Sequence, residues 1–430
     1  MGSDQTTRGR LAVTTTAIRT ATMLACAAAM AAGCAAPTTS GNAVKAADAD
    51  AAVVALMDTG TYSTVPGRPF GVTGDNVKAQ HLMEAHRIAE YTVGPWEAEA
   101  ALVSLPGMFD LALISPIDSV ETLRDGNILP LPDVAEAHGF MTGFSSLRMA
   151  ARDAPLYGLQ NVVLRFPDAQ SAAAAAAEMV AKAPPMQGSE PGPPTPMANS
   201  PESLAVTYEL PDYIRRVDSF TAHGVFVLYQ SARSDLGLFR TAPAIVDKML
   251  TLQKKRIDEF TPTEQGAMSS LAMDPTGQLL ARTLRAPDDS APVVIGVWAP
   301  QAWLHFEQDP IATDALFNTA GVDAVTQRLT TVYQAGNADG ATRIVDEFAR
   351  QIGGLDDVKP IDGVPGLPSA ECFEREKDWV PETQAMTYQR VRWHIKCVAS
   401  ADRWAYTAFS EHAADARQQM AAQYRILTGE

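Results

Sequence analysis

Cys34 is the residue of this chain whose surroundings point to a definite chemistry. It closes the run Ala31-Ala32-Gly33-Cys34, behind an uncharged stretch at 20–30 rich in Ala and Met and a head carrying Arg8, Arg10 and Arg19. A basic head, a short apolar core and small residues at the cleavage point form a bacterial export signal. The run reads as a lipobox with Ala31 where leucine is usual: residues 1–33 are removed, the Cys34 thiol takes a diacylglycerol, and acyl chains such as palmitate anchor the new N-terminus. One acyl chain holds a protein only marginally, so the anchor needs more than one. Two alternatives stand beside this reading. One is a plain secretory signal cut near Ala32, and the other is myristoylation at Gly2 from the pattern Met1-Gly2-Ser3-Asp4-Gln5-Thr6. A membrane-spanning helix needs ~20 consecutive apolar residues, and Arg19 interrupts the stretch too early for one.

The second chemical feature is a run of four basic residues. Arg390, Arg392, His394 and Lys396 alternate with Val391, Trp393, Ile395 and Cys397. Read as a strand, that alternation puts all four cations on one face. The formal charge of the chain is −16, and removing residues 1–33 takes away three arginines and one aspartate and leaves −18. In so acidic a chain, a basic stripe is a candidate site for an anionic ligand such as a lipid head or a carboxylated glycan. The plainer reading is a solvated sheet face, or one neutralised by Glu371, Glu374, Glu376 and Asp378. The net charge itself argues against nucleic acid as a partner, because like charge repels a phosphate backbone.

Cys26 leaves with the signal and Cys34 is acylated, which leaves Cys372 and Cys397. Two cysteines in an exported chain read as one disulfide, here tying an irregular charged segment at Cys372 to a strand at Cys397. No metal site is expected. The histidines are scattered, and the densest group, His81 to His86, places its two imidazoles ~140° apart on a helix; His81 and Glu84 then read as a surface pair. Local catalytic motifs are missing: Gly143-Phe144-Ser145-Ser146-Leu147 lacks the second glycine of a nucleophile elbow, and no phosphate loop or dinucleotide fingerprint occurs. No cofactor is implied. Trp298, Trp303, Trp379, Trp393 and Trp404 fall in the second half, either lining a groove or filling a core.

These residues need a scaffold of ordinary globular type. Hydrophobic residues make up 46% and charged residues 20% of the 430, enough for two domains. Residues 34–50 read as the lipidated cysteine and a flexible tether, 51–262 as an N-terminal α+β domain, and 266–430 as a C-terminal one. Proline density at 183–201 blocks helix and sheet pairing and marks a long exposed loop in the first domain. The two domains share a pattern. A strand at 161–166 precedes an Asp168-capped helix, and a strand at 330–334 precedes an Asn337-capped helix. Further strands follow in each, at 204–209 and 225–229, then 391–397 and 404–409. Helices at 245–260 and 414–427 close the copies, each with a central glutamine, Gln253 and Gln423. The expected fold is α+β: two related domains, each an antiparallel sheet with helices packed on one face in β-α-β-β-α-like units. The alternative is two unrelated α+β domains.

Several runs together resemble an uncharacterised envelope lipoprotein family of mycobacteria and related actinobacteria. They are Met57-Asp58-Thr59-Gly60-Thr61-Tyr62, Ala89-Glu90-Tyr91-Thr92-Val93-Gly94-Pro95-Trp96-Glu97, the pair Cys372 and Cys397, and Gln419-Met420-Ala421-Ala422-Gln423-Tyr424. The resemblance implies a duplicated, lipid-anchored protein on the extracytoplasmic face of the membrane and carries over no catalytic residue. The expected function is a non-enzymatic envelope component that binds a lipid or glycan ligand or a protein partner. The alternatives are an exported hydrolase of cell-wall or lipid esters and a sensor or accessory subunit of an envelope complex.

Overall fold

The computed structural model describes residues 51–150, 156–238, 240–286, 295–381 and 390–430. Cys34, the signal and the tether lie outside them. The first copy carries strands β1 (Ser115–Ile117), β2 (Thr142–Met149), β3 (Leu156–Arg165), β4 (Thr195–Pro196), β5 (Leu204–Leu210), β6 (Ile214–His223) and β7 (Phe226–Asp235). The second carries β8 (Gly296–Trp298), β9 (Ala324–Gln327), β10 (Thr331–Gln334), β11 (Val358–Ile361), β12 (Glu371–Arg375), β13 (Ile395–Ala401) and β14 (Trp404–Ser410). Five longer helices accompany them: α1 (Val77–Glu90), α2 (Ala169–Ala181), α3 (Thr241–Ile257), α4 (Ala338–Gly353) and α5 (Ala413–Thr428).

Both sheets are antiparallel, and their strand orders are the same: β1-β2-β3-β7-β6-β5-β4 and β8-β9-β10-β14-β13-β12-β11. The duplication extends to detail. The Asp168 side chain accepts from the Ser171 amide at 2.7 Å and starts α2, and Asn337 accepts from the Gly340 amide at 2.9 Å and starts α4. Each cap satisfies one of the free donors at a helix start. The β6–β7 and β13–β14 hairpins both turn in two residues, closing on the pairs His223–Phe226 and Ala401–Trp404. Both turns open on a residue with positive φ, Gly224 at 56° and Asp402 at 49°, as the favoured two-residue hairpin turns require.

The helices do not share one face, which corrects the one-sided packing expected from the pattern. In the first copy, α2 packs Ala172, Ala175 and Met179 on Val162 and Leu164. α3 packs Val246 and Met249 against the side of the sheet that carries Leu159, Val217 and Ala232. Residues of β3 one apart in sequence point to opposite faces, so the sheet is covered on both sides. The second copy repeats this. Ile344, Phe348 and Ile352 of α4 meet Val398, Ala405 and Phe409, whereas Met420, Ala421 and Leu427 of α5 meet Cys397, Ala399 and Tyr406. The proline-rich stretch is also less excluded from pairing than expected: Thr195 and Pro196 pair with Ala205 and Leu204. β4 is an edge strand, where a missing amide costs least.

The two copies meet through a shared apolar core. Phe144 of the first copy contacts Trp298 and Phe306 of the second, with ring centroids 6.3 and 6.0 Å apart. Arg148, fully buried on β2, donates to the carbonyls of Val103, Leu304, His305 and Glu307 at 2.7–3.1 Å.

Candidate functional site

The basic run does not form the strand expected of it. β13 begins only at Ile395, and 390–394 precede it as irregular or helical backbone. The four cations therefore part company. Arg392 donates to the Asp378 carbonyl at the exposed surface. His394 stacks on Trp379 with centroids 4.5 Å apart, and its Nε2 lies 3.4 Å from Glu374. Arg390 and Lys396 instead turn to the same cavity, where Arg375 of β12 joins them.

This cavity lies between α4 and the sheet face formed by β10, β13 and β14, roofed by 306–308 and 390–393. It holds about 70 Å³ of free space. Apolar walls come from Phe306, Phe348, Ile352, Trp393 and Phe409. The charged groups are unevenly matched. Arg390 donates to the Phe306 carbonyl at 3.0 Å through Nη1, and its guanidinium sits over the rings of Trp303 and Phe306. Arg375 donates to the Val391 carbonyl, lies 3.5 Å from Asp357, and covers the Trp393 ring. The Nε atoms of both arginines are buried without a hydrogen-bond partner among the described residues. The Lys396 amine likewise has no hydrogen bond or ion pair among them. Burial pushes its pKa down to about 8, and Arg390 and Arg375 add to the shift while Glu307 opposes it.

One carboxylate lines the cavity, Glu307, and it is already engaged. Its Oε1 accepts from Trp303 Nε1 at 2.5 Å and from the Tyr333 hydroxyl at 2.8 Å. Burial first, and Glu307 next, hold the Tyr333 phenol well above its ordinary pKa, so it remains a neutral donor. Three cationic side chains thus face one carboxylate among the lining residues, an imbalance that favours an entering group with negative charge.

The first copy shows what fills the same place there. Aligning the two-residue hairpin turns puts Lys396 on Asp218 and Thr407 on Tyr229. Asp218 is fully buried, and its carboxylate accepts from Arg216 Nε at 2.8 Å. Arg216 also donates to the Tyr229 hydroxyl at 2.9 Å. The first copy therefore supplies its own anion, and the second supplies a cation in its stead. Arg375, Glu307 and Tyr333 were not legible as site residues. Arg375 sat inside a run read as neutralising acid, and only the pairwise register of the two copies singles out position 396.

Cys372 and Cys397 are bonded, with Cα atoms 4.1 Å apart. Cys372 is not in irregular backbone as expected. It lies on β12 directly opposite Cys397 on β13, on the α5 side of the sheet and away from the cavity. The first copy has Ala205 and Ser219 at these positions.

Other sequence candidates have structural partners. Glu84 is fully buried and binds Arg165 at 2.5 Å and Arg87 at 2.6 Å, so it is no surface partner of His81. His81 contacts the Asp118 carbonyl. Trp393 is buried but precedes β13, and Trp298 and Trp303 fill the core between the copies. Ser146 donates to His305 Nδ1 at 2.8 Å, a serine–histidine contact of the type hydrolases use. Both residues are sealed in the core, and His305 Nε2 faces the Ala89 and Thr92 carbonyls rather than a carboxylate. Burial depresses the His305 pKa to about 3, which suits a core imidazole and not a general base. Among the described residues no group of three or more His, Cys, Asp or Glu could hold a metal ion, and no helix is long and apolar enough to cross a membrane.

The chain belongs to the DUF7373 family of domains of unknown function, matching its N-terminal domain over residues 71–273 and its C-terminal domain over 279–430. No curated protein matches it. Among solved structures it is similar to the extracellular domain of PknH from Mycobacterium tuberculosis. That likeness has 15% identity and a TM-score of 0.25, covering 36% of this chain and 96% of the other.

Proposed function

We propose that this member of the DUF7373 family is a lipid-anchored extracytoplasmic protein that binds a small organic anion in its C-terminal copy. The observation that carries the reading is the mismatch between the copies. Where Asp218 neutralises Arg216 at 2.8 Å, the second copy places Lys396, with no hydrogen bond or ion pair among the described residues, beside Arg375 and Arg390 in a cavity. Glu307 is the one carboxylate lining the cavity against these three cations, and a ligand carboxylate or phosphate offsets the excess positive charge. The aromatic and aliphatic walls favour an organic anion over a free inorganic one. The activity is binding rather than turnover, since the cavity joins donors to apolar surface without a serine, histidine and carboxylate in reach of one another. Residues 1–33 act as the export signal, and Cys34 carries the acyl anchor.

The test is calorimetry on the soluble chain 36–430 with acetate, lactate, benzoate and phosphate as probes. A carboxylate binds, and Lys396→Met or Arg390→Met weakens it ~10-fold or more, about 1.4 kcal/mol. Arg392→Gln, altering the exposed member of the run, leaves affinity unchanged. No binding by any probe, or binding indifferent to Lys396 and Arg390, overturns the assignment.

A further inference from the structure

We infer that the cavity of the C-terminal copy captures a small α-keto acid covalently, as an imine on Lys396. This rests on the anion-binding reading and names the ligand within it. The two arginines and the lysine divide the work by chemistry. A guanidinium presents a rigid fork that fits a carboxylate; Arg390 and Arg375 both line the cavity, with Arg390 Nε lacking a hydrogen-bond partner among the described residues and Arg375 Nε 3.5 Å from Asp357. Lys396 offers a compact amine in the same cavity with no partner of its own among the described residues.

An ammonium held unpaired beside two guanidinium groups is disfavoured, whereas the neutral amine is not. The downward shift at Lys396 to about 8 agrees with that placement. A neutral, partly desolvated amine next to cations is an activated nucleophile toward carbonyl carbon. The ligand that uses both features has a carboxylate for the arginines and an adjacent carbonyl for the amine. The free space of about 70 Å³ limits it to a few heavy atoms. The Tyr333 hydroxyl donates to Glu307 at 2.8 Å and holds the one carboxylate that lines the cavity; against it stand Arg375, Arg390 and Lys396, an excess of positive charge that a ligand carboxylate offsets.

The step balances without a redox partner. The Lys396 nitrogen attacks the keto carbon, and the carbonyl oxygen takes a proton from nitrogen to give a carbinolamine. The second nitrogen proton leaves with that hydroxyl as water, and a carbon–nitrogen double bond remains. Hydrolysis reverses it, so the event is reversible capture.

The experiment uses the soluble chain 36–430, pyruvate as the keto acid, lactate as its carbonyl-free analogue, and borohydride to reduce any imine. The expected result is one stable adduct with pyruvate, located at Lys396 by peptide mass spectrometry, and none with lactate. Lys396→Arg keeps a nitrogen donor at the position but has no nucleophilic amine, so it retains lactate affinity to within ~10-fold but forms no adduct. Lactate binding without a pyruvate adduct overturns the imine and leaves the anion-binding reading intact. Adducts spread evenly over surface lysines also overturn it. Failure of both acids to bind removes both proposals together.

Discussion

Gln253 and Gln423 occupy the same place in two copies of one fold. Gln253 Oε1 accepts from the Val93 amide at 2.8 Å, and its Nε2 donates to the Tyr91 carbonyl at 2.8 Å. Gln423 Oε1 accepts from the Leu284 amide at 2.8 Å, and its Nε2 donates to the Arg282 carbonyl at 2.8 Å. Each oxygen takes one more donor, Asn161 of β3 for Gln253 and Thr330, the residue before β10, for Gln423. The clipped segments match as well: Thr92 donates to the Ile88 carbonyl and Thr283 to the Leu279 carbonyl, each four residues back. The closing helix of each copy thus ties down the segment that opens it.

Both glutamines are fully buried, so their loss strands backbone groups away from water. Gln253→Leu and Gln423→Leu should each destabilise the protein by roughly 1–3 kcal/mol for every group left unpaired. Denaturant melts of the two variants measure this, and equal losses are expected because the networks are equal. A Gln423→Leu protein as stable as the parent would show that the contact has no structural weight.

That pairing was partly legible in the sequence. The helix caps Asp168 and Asn337 and the central glutamines stood out because they are local signals at matching intervals. The faces were not legible. Alternation along β3 shows two apolar sides, Val162 and Leu164 against Val163 and Leu159, but does not say which helix covers which. The basic run misled for a related reason: alternation over 390–396 mimics a strand, while pairing with β12 and β14 begins only at Ile395. Arg375 and Tyr333 reach the cavity through strand order, which brings β10, β12, β13 and β14 together across more than sixty residues of chain.

Arg148 binds the copies to each other. Its four carbonyl acceptors include three around the short helix Leu304–Phe306 of the second copy, whose C-terminal end carries partial negative charge. Its guanidinium also covers Trp96 at 5.3 Å. Arg148→Met should cost roughly 1–3 kcal/mol for each carbonyl left buried and unpaired. The parent should unfold in one calorimetric transition spanning both copies. Two resolved transitions in the parent would contradict a shared core.

Two core histidines make stability depend on acid. Burial holds His86 and His305 neutral, each with a pKa depressed to about 3 from 6.5. Below 6.5 the unfolded chain takes up protons that the folded one refuses, so stability falls as pH drops and levels off near pH 3. Each histidine contributes up to ~1.4 kcal/mol per pH unit in that window. Unfolding free energy measured at pH 7, 6, 5 and 4 should show the decline, and His305→Asn should make it shallower. A slope unchanged by the substitution would exclude His305 as a source.

The bond between Cys372 and Cys397 joins facing residues of β12 and β13 and closes a loop of separation 25. In the chain-entropy account such a loop is worth roughly 3–4 kcal/mol through the unfolded state. Replacing both cysteines by serine should lower the melting temperature by several degrees. It should leave anion affinity unchanged, because the pair lies on the opposite face of the sheet from Lys396. Affinity falling in step with stability would place the bond in the site's support.

The anchor is the prediction that sets where the cavity works. Arg8, Arg10 and Arg19 precede an apolar core and the small residues that lead to Cys34, and acylation needs that thiol. If cleavage leaves Cys34 as the N-terminus, the remaining chain carries −18, a net charge that repels anionic lipid heads, so membrane attachment would rest on the acyl chains. Cys34→Ala should therefore shift the protein from the membrane fraction to the medium, or leave the uncleaved precursor. Detergent partitioning and N-terminal mass spectrometry read the outcome. A variant that stays membrane-bound with the parent's partitioning defeats the lipid anchor, and cleavage at Ala32 with a free Cys34 thiol in the parent replaces it with simple secretion.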